Sequence, residues 1–376
     1  MGYSEILLFI LALCLCGFGL LLAGRICMLD TIRKPLVEAA FGRKPSRQPV
    51  WFLRQAGRYL PEYREIRKGI EFVDLCKNPK LAAEVTIQPL RRFDLDAAII
   101  FSDILIPPTA MGQTLTFGKG HGPMLSNPIR DGKDLKKLKV PDCGRALGYV
   151  GDAIQETKRQ LGSEQAMIGF AGAPFTVSSY MIEGQGTKTY TELKRLMYRQ
   201  PETFKGLLEI LAEVTVNYLA MQVQAGAEVL MLFDTWVGNI APSQYRSFVA
   251  PVMELMIKQV KRDNPDVPVI YYPGQGSEMY PEIRSLSMDV VAVDWRVDLG
   301  LAVGKLKSNN LDVSVQGNLD PQLFEAPLSY LQEAVWEILA KGKTARGHIF
   351  NVGHGLLPHL DPEAIGAVVK TIRDQE

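Results

Sequence analysis

Short apolar runs rich in β-branched residues recur along most of the chain, and each ends at a polar residue or a glycine. Runs of this length and composition predict β-strands. Between them lie longer segments, such as residues 202–225, whose apolar positions recur every three or four residues and predict amphipathic helices. The strands predicted in this way are residues 50–53, 97–101, 166–170, 227–233, 267–272, 289–293, 313–316 and 348–352.

Continuous apolar strands that alternate with helices are typical of a parallel sheet covered by helices on both faces. Eight of them predict that the sheet closes into a (β/α)8 barrel of the TIM type, forming a single α/β domain. The alternative is an open, doubly wound sheet, in which a glycine-rich phosphate-binding turn would follow an early strand. The sequence has neither a G-x-G-x-x-G nor a Walker A pattern, which favours the barrel.

The first part of the chain is different, because residues 6–24 are apolar and uncharged and are long enough to cross a bilayer as a helix. Glu5 precedes this stretch, and Arg25, Arg33 and Lys34 follow it, which disfavours a secretory signal and favours a cytoplasmic body. Two interpretations stay open: a membrane segment, or a start-site artefact with translation beginning at Met28. We therefore divide the chain into an apolar N-terminal extension, residues 1–27, and a barrel domain, residues 28–376.

Composition and charge narrow the function. Lys and Arg number 42 and Asp and Glu 41, a net charge of +1, so no global field is available to hold a nucleic acid or an anionic membrane. Any membrane contact is expected only through residues 6–24. After residue 27 the cysteines are Cys76 and Cys143, and the chain has four histidines without an H-x-H or H-E-x-x-H pattern. These counts predict no disulfide framework and no metal site, and the absence of a nucleotide-binding loop predicts that no cofactor is used.

In a barrel of this type the active site lies at the carboxyl ends of the strands. The densest group of polar residues at such an end is Arg54-Gln55-Ala56-Gly57-Arg58, with Arg64 and Arg67 shortly after it. Arginine side chains bind carboxylates and phosphates with two parallel hydrogen bonds, so this group predicts a clamp for a polyanion. For Arg64 and Arg67 an alternative is surface pairing with nearby glutamates on a solvated helix.

Other strand ends carry single candidates. Asp103 is a carboxylate in apolar surroundings, which must be paired, protonated or ready for a ligand, or else closes a loop. Asp234 and Asp294 also follow apolar runs, and for both we favour a structural role. His354 lies in a glycine turn where it can hydrogen-bond a ligand, although a plain loop histidine is the alternative.

The segment Arg54-Gln55-Ala56-Gly57-Arg58-Tyr59-Leu60-Pro61-Glu62 closely resembles the N-terminal signature of the uroporphyrinogen decarboxylase family. Four further segments are similar to motifs of that family and occur in the same order, namely residues 99–105, 169–176, 316–321 and 351–355. The resemblance extends from about Leu29 to the C-terminus. Residues 1 to about 27 have no counterpart in it.

The resemblance implies a cofactor-independent homodimer that removes carbon dioxide from the four acetate side chains of uroporphyrinogen III. The product would be coproporphyrinogen III, for haem and related tetrapyrroles. It implies catalytic roles for Asp103, which would face the pyrrole nitrogens, for Arg54, and for Tyr180, which would hydrogen-bond near the reacting acetate. The implied substrate-binding residues are Arg54, Gln55, Ala56, Gly57, Arg58, Arg67, Asp103, Tyr180, Thr235, at a position where many members have Ser, and His354, which would hold a carboxylate.

The implied substrate carries eight carboxylates, which an arginine cluster at the barrel mouth can attract without a net positive protein. A pyrrole protonated at carbon can take up the electrons that the departing carboxylate leaves, and Asp103 can stabilise that cation. Two other functions remain open. A corrinoid-linked methyltransferase of the same barrel superfamily would need a thiolate and histidine zinc site, and a catalytically inactive porphyrin-binding protein would be expected to lack Asp103.

Overall fold

The computed structural model describes residues 33–117 and 122–375, and within them seven parallel strands form one curled sheet. The strands follow each other around the sheet in the order β1-β4-β5-β6-β7-β8-β9. They are β1 (Ala97–Ile99), β4 (Ala166–Gly172), β5 (Val229–Asp234), β6 (Val269–Pro273), β7 (Val290–Ala292), β8 (Ser314–Gln316) and β9 (His348–Ile349), and β2 (Leu115–Phe117) and β3 (Pro123–Leu125) form a separate antiparallel hairpin. This architecture confirms the predicted TIM-type barrel.

The first predicted strand, residues 50–53, is reduced to a single bridge between Val50 and Phe350. Val50 nevertheless closes the ring, because its carbonyl accepts from the Asp96 N–H at 2.9 Å and the Phe350 N–H donates to Pro49 at 2.9 Å. The Trp51 N–H still donates to the Phe350 carbonyl at 3.4 Å, but the pairing stops after it because side chains accept from the next two amides. The Leu53 N–H donates to Asn351 Oδ1 at 2.9 Å, so no neighbouring main chain can pair with it.

Helices cover the outside of the barrel, and the predicted helix over residues 202–225 is confirmed as Pro201–Gln224. Several begin with proline in the first turn, where its missing N–H costs nothing. The helices are α1 (Pro35–Ala40), α2 (Pro61–Arg67), α3 (Phe72–Lys77), α4 (Pro79–Arg92), α5 (Ile106–Ala110), α6 (Gly132–Leu135), α7 (Cys143–Ala146), α8 (Gly148–Lys158), α9 (Pro174–Glu183), α10 (Thr191–Arg199), α11 (Pro201–Gln224), α12 (Pro242–Gln244), α13 (Ala250–Asp263), α14 (Leu299–Ser308), α15 (Leu328–Gly342) and α16 (Pro362–Arg373).

The alternation of strands and helices has one gap. Between β6 and β7, the described residues 274–289 contain no α-helix and only the 3₁₀ turn Ser277–Met279. Gly274 and Gly276 follow β6 directly, and a β-carbon on Gly274 would lie 2.5 Å from the Thr235 carbonyl oxygen. The chain therefore passes tightly over the residue that follows β5.

At the amino ends of the strands, which we call the base of the barrel, a buried ion cluster surrounds Asp96. Arg47 donates to Asp96 Oδ1 at 2.7 Å, and Arg373 donates to Oδ2 at 2.8 Å. The Val50 N–H also donates to Oδ2, at 2.7 Å. The Asp96 side chain is fully buried, and charged and main-chain donors satisfy both of its oxygens. This cluster joins the Val50 segment, β1 and the C-terminal helix.

The predicted N-terminal extension, residues 1–27 with its apolar stretch 6–24, lies outside the described residues. Among the residues that the structure does describe, none of the helices has the length and apolar character needed to cross a membrane. Cys76 and Cys143 are both buried and unbridged.

Candidate active site

The loop after Val50 carries the predicted arginine clamp, and its backbone is held in an uncommon conformation. Arg54 has a φ of 60°, a left-handed value that costs free energy in a residue with a β-carbon. The Arg54 side chain is exposed at the carboxyl end of the barrel, and within the described residues it has no ion-pair partner. An unpaired arginine on a strained backbone at this edge indicates a group held ready for an anion.

Gln55, beside it, is buried and supports the loop. Its Oε1 accepts from the Phe52 N–H at 3.1 Å, and its Nε2 donates to the Ala97 carbonyl at 3.0 Å. The Tyr59 hydroxyl donates to the Gln55 carbonyl at 2.7 Å. The polar groups of Gln55 are thus engaged within the protein, and its predicted contact with substrate stays a prediction. Ala56 and Gly57, which follow, are half-buried in the same turn.

His354 lies next to Arg54, between two glycines that allow close packing. A β-carbon on Gly355 would lie 2.4 Å from Arg54 Cδ, and one on Gly353 would lie 2.2 Å from the Trp295 nitrogen. Burial lowers the pKa of His354, and the Arg54 guanidinium lowers this pKa further. The neutral imidazole is therefore favoured, and it can donate a hydrogen bond to a carboxylate.

Asp103 follows β1 at the same end of the barrel and is half-buried. Its Oδ1 accepts from the Leu105 N–H at 2.8 Å, so one oxygen closes the turn that leads into α5. Oδ2 has no hydrogen-bond partner among the described residues. Burial raises the pKa of Asp103, while the Leu105 N–H and the Arg54 guanidinium lower it. The loop-closing role and a free oxygen for a ligand therefore coexist in one side chain.

Tyr180 projects from α9 toward the same group of charges. Burial raises the pKa of its phenol, so the hydroxyl keeps its proton at neutral pH, and a hydrogen bond with the Trp236 side chain lowers that pKa. The charges of Asp103 and Arg54 also act on this pKa. The Tyr180 and Trp236 ring centroids are 6.3 Å apart. Arg54, Asp103, Tyr180 and His354, predicted from four separate segments, thus share one neighbourhood.

Arg58 and Arg67 lie near Tyr63 on α2, in the segment that follows the Arg54 loop. The charges of both arginines lower the pKa of Tyr63, which burial raises. Arg67 donates to the Ile70 carbonyl and lies 5.9 Å from the Phe72 ring centre. Arg58 is exposed and has no ion-pair partner in the part of the chain that the structure describes. Of the two, Arg58 is the one whose guanidinium is open to an anion.

The remaining candidates divide into one open and two enclosed side chains. Thr235 is half-buried directly after β5. Asp234 is fully buried, where Thr176 and Tyr271 donate to its oxygens. Asp294 accepts from Arg296 at 3.0 Å and from Tyr272 at 3.3 Å. These protein partners fit the structural roles predicted for both aspartates.

Two aromatic neighbours of the site were not singled out from the sequence. Trp236 lies beside Tyr180 and comes two residues after β5 ends. Its position at a strand end is the feature of the sequence that could have identified it as a site residue. Tyr272 belongs to β6, and its hydroxyl donates toward Asp294 and the Gly353 carbonyl, 3.1 Å away. It thereby fixes the turn that presents His354. Nothing in the spacing of the sequence distinguishes this tyrosine from its core neighbours.

Within residues 33–117 and 122–375, no three or more His, Cys, Asp or Glu side chains are grouped so that they could hold a metal ion. The donors at the barrel mouth are arginines, a phenol and an imidazole, and the acceptor is the Asp103 carboxylate. This set suits an anionic organic molecule that also presents N–H groups.

Comparison with known proteins connects this geometry to a family. The family model described as uroporphyrinogen decarboxylase (URO-D) matches residues 31–375. A protein named uroporphyrinogen decarboxylase from Myxococcus xanthus is 46% identical over 337 residues, which cover 90% of this chain and 95% of that protein. Another of that name, from Idiomarina loihiensis, is 43% identical over 337 residues, covering 89% of this chain and 93% of its own length.

Among solved structures, a methyltransferase from Methanosarcina mazei superposes with a TM-score of 0.77 at 18% identity, covering 92% of this chain and 99% of that one. A likeness at this level of identity shows the shared barrel alone.

Proposed function

The chain belongs to the uroporphyrinogen decarboxylase family, and from that membership we propose that it decarboxylates the four acetate side chains of uroporphyrinogen III to give coproporphyrinogen III in haem and tetrapyrrole biosynthesis. One observation carries the proposal at the level of chemistry. Arg54 and Arg58 have no ion-pair partner among the described residues, and the Arg54 guanidinium lies close enough to Asp103, whose second oxygen has no partner there, to lower its pKa. A polyanion with pyrrole N–H groups complements that arrangement.

We assign substrate binding to Arg54, Arg58, Arg67 and His354, with Ala56, Gly57 and Thr235 lining the same mouth. Guanidinium groups form charge-assisted hydrogen bonds with carboxylates and fix their direction. Because the site lies in a barrel of nearly zero net charge, the attraction is local and acts on the part of the substrate nearest the mouth. Gln55 supports this set by holding the arginine loop against β1.

We assign catalysis to Asp103, Arg54 and Tyr180. In each decarboxylation a proton adds to a pyrrole carbon, the bond to the carboxylate carbon breaks, and its electron pair moves into the ring as carbon dioxide leaves. A proton then replaces the lost carboxylate on the methylene carbon, and the ring returns its extra proton. The free oxygen of Asp103 can accept from pyrrole N–H groups and stabilise the cationic ring, while the Tyr180 hydroxyl donates toward the reacting acetate.

Because the substrate's own pyrrole takes up the electrons, we propose that no cofactor is used. The direct test is to incubate the protein with uroporphyrinogen III anaerobically under reducing conditions and to follow loss of carboxylates by chromatography. The expected product carries four carboxylates, and activity persists in EDTA. Unchanged substrate would contradict the proposal. Loss of activity in EDTA that zinc restores would favour the methyltransferase alternative, which methyl transfer to a corrinoid would then test.

We further propose that residues 28–376 form the catalytic domain, acting in the cytoplasm as a homodimer, and that any membrane contact comes from residues 6–24. The described site residues all follow Met28, so a protein beginning at Met28 should match the full chain in kcat and KM. Sedimentation at micromolar concentration checks for the dimer, and membrane fractionation of the full chain checks the extension. Loss of folding in the shortened protein would assign residues 1–27 to the catalytic domain.

A further inference from the structure

A buried polar group lies behind the proposed site and takes no part in the chemistry described so far. Asp234, the last residue of β5, has no exposed surface. The Thr176 hydroxyl donates to its Oδ1 at 2.8 Å, and the Tyr271 hydroxyl donates to its Oδ2 at 2.8 Å. Burying a carboxylate costs free energy, which the two hydroxyl donors partly offset. A functional role would explain why a carboxylate stands at this position.

The hydroxyls around Asp234 have a defined direction. Since Tyr271 donates its proton to Asp234, its oxygen is left to accept from the Tyr245 hydroxyl, 3.1 Å away. In the same way, Thr176 donates to Asp234, and its oxygen accepts from the main-chain N–H of Trp236 at 3.1 Å. The carboxylate is therefore the acceptor on which both series of hydrogen bonds end.

The Thr176 series leads to Tyr180 by two routes. Thr176 is in the first turn of α9, and Tyr180 follows four residues later, so both lie on one face of that helix. Trp236, whose main-chain N–H donates to Thr176, also packs its ring against the Tyr180 ring, with the two centroids 6.3 Å apart. Asp234 thus fixes the start of the helix that carries Tyr180 and the tryptophan that lies against it.

We propose that Asp234 is a positioning residue for Tyr180, holding the phenol in place through Thr176 and Trp236. The inference rests on the proposed function, because it gives Tyr180 a role in decarboxylation. It predicts that loss of the Asp234 charge lowers kcat and leaves KM nearly unchanged, since the arginine clamp does not contact this series. A purely structural aspartate would instead change stability and leave the turnover of folded protein unaltered.

Charge removal at this position should be tolerated by the fold. Burial raises the pKa of Asp234 to about 6, while the hydrogen bonds from Tyr271 and Thr176 lower it. Because the pKa is raised in the folded state, the protonated Asp234 carboxyl stabilises the fold below the ordinary pKa of 3.8. This contribution is lost as the pH rises through about 6. At pH 8 the ionised carboxylate therefore adds no net stability, and Asp234→Asn should fold.

The test is a double-mutant cycle with kinetics at pH 8 on the full chain. Asp234→Asn should lower kcat by about 10-fold with KM within about 2-fold of wild type, as expected for a displaced catalytic group. In a Tyr180→Phe background the same change should cost nothing further, because the hydroxyl that Asp234 positions is gone. Tyr245→Phe, which removes the outermost hydroxyl without contacting Asp234, is the matched control and should keep kcat near wild type.

Thr176 supplies an independent route if Asp234→Asn does not fold. Thr176→Val removes the hydroxyl that links Asp234 to Trp236 and should reproduce the loss of kcat. Thr176→Ser keeps the hydroxyl, and its kcat should stay near that of wild type. Equal losses of kcat with and without Tyr180, or normal turnover in Thr176→Val, would overturn the inference. An inactive wild-type protein would instead overturn the proposed function, so the two failures are distinguishable.

Discussion

Two aspartates flank strand β1, and the two ends of the barrel use them differently. Asp96 precedes the strand at the base, where Arg47, Arg373 and a main-chain amide saturate its oxygens. Asp103 follows the strand at the mouth, where one oxygen has no partner among the described residues. The same residue type thus closes an ion cluster at one end and is left open at the other.

The arginines repeat the contrast. Those at the base are hydrogen-bonded to carboxylates and main-chain carbonyls, and the C-terminal helix is joined to the barrel through Arg373. At the mouth, Arg54 and Arg58 have no ion-pair partner in the described part of the chain, and Arg54 is held at a strained φ. Removing one partner of a buried ion cluster leaves an uncompensated charge and destabilises the fold, whereas an unpaired arginine at a barrel mouth stays available to an anionic ligand.

Disrupting the Asp96 ion cluster at the base should give the largest effect. Only the free energy of unfolding should change. Asp96→Asn leaves Arg47 and Arg373 without their buried partner, a change that typically costs about 3–5 kcal/mol of unfolding free energy. Urea denaturation measures the loss, and kcat per folded molecule should stay near that of wild type. A stable Asp96→Asn protein with reduced kcat would contradict the division between the two ends.

Removing the Asp103 charge at the mouth should lower kcat instead of stability. Asp103→Asn keeps the size and one acceptor for the Leu105 N–H but removes the charge, so kcat should fall by about 10²–10³ with little change in stability. Burial raises the pKa of Asp103, so the wild-type kcat should decline as the pH falls through a value above the usual aspartate range. The variant should lack this decline. Single-turnover rates and thermal unfolding of Asp103→Asn and wild type separate a loss of rate from a loss of stability. A near-normal rate in the folded variant would refute the electrostatic role.

Arg58→Ala sharpens the comparison, because it removes an open charge without disturbing an ion pair. We expect KM to rise by about 10- to 100-fold, equivalent to ~1.5–3 kcal/mol, with kcat less affected. Salt should weaken wild-type binding more than binding by the variant. Arg159→Ala is the matched control, since Arg159 only pairs with Glu156 on an exposed helix face. Equal salt sensitivity in all three proteins would show that Arg58 does not contact the substrate.

The smallest effect is expected at the edge of the base. Asp94 binds Arg47 and Arg373 as Asp96 does, but its side chain is 55% exposed. Exposed pairs contribute little, so Asp94→Asn should cost less than about 1 kcal/mol. Measured with Asp96→Asn under the same conditions, it separates the effect of burial from that of pairing. A cost equal to that of Asp96→Asn would mean that the number of partners, and not burial, sets the stability of the base.

Much of the barrel could be predicted, because continuous apolar strands and helical spacing are local properties. The helix at Pro201–Gln224 and the strands from β4 to β9 fall where the pattern placed them. The first strand did not form as predicted, since Asn351 and Gln55 supply side-chain oxygens to its amides. The missing helix between β6 and β7 was not foreseen either, and neither was the close passage of Gly274 over Thr235, which is a contact between distant segments.

For the site, position at a strand end identified Arg54, Asp103 and His354, and the family resemblance added Tyr180. Neither source showed that the polar groups of Gln55 point inward or that Trp236 lies against Tyr180. Both features depend on which side chains meet across the barrel. The spacing of residues along the sequence does not determine these contacts. The same holds for the hydroxyls around Asp234, whose residues come from four separate elements.

The single bridge at Val50 has a dynamic consequence for the site. Six ladders join the seven strands, whereas the segment at Val50 closes the ring through one bridge and neighbouring hydrogen bonds, so the ring should open first at this seam. The seam leads directly into the loop of Arg54, so a local opening there would carry the guanidinium with it while the other strands stay paired. Hydrogen–deuterium exchange should then be faster at the amides of Phe52 and Leu53 than in β5, and a bound polyanion should slow it by holding the seam shut.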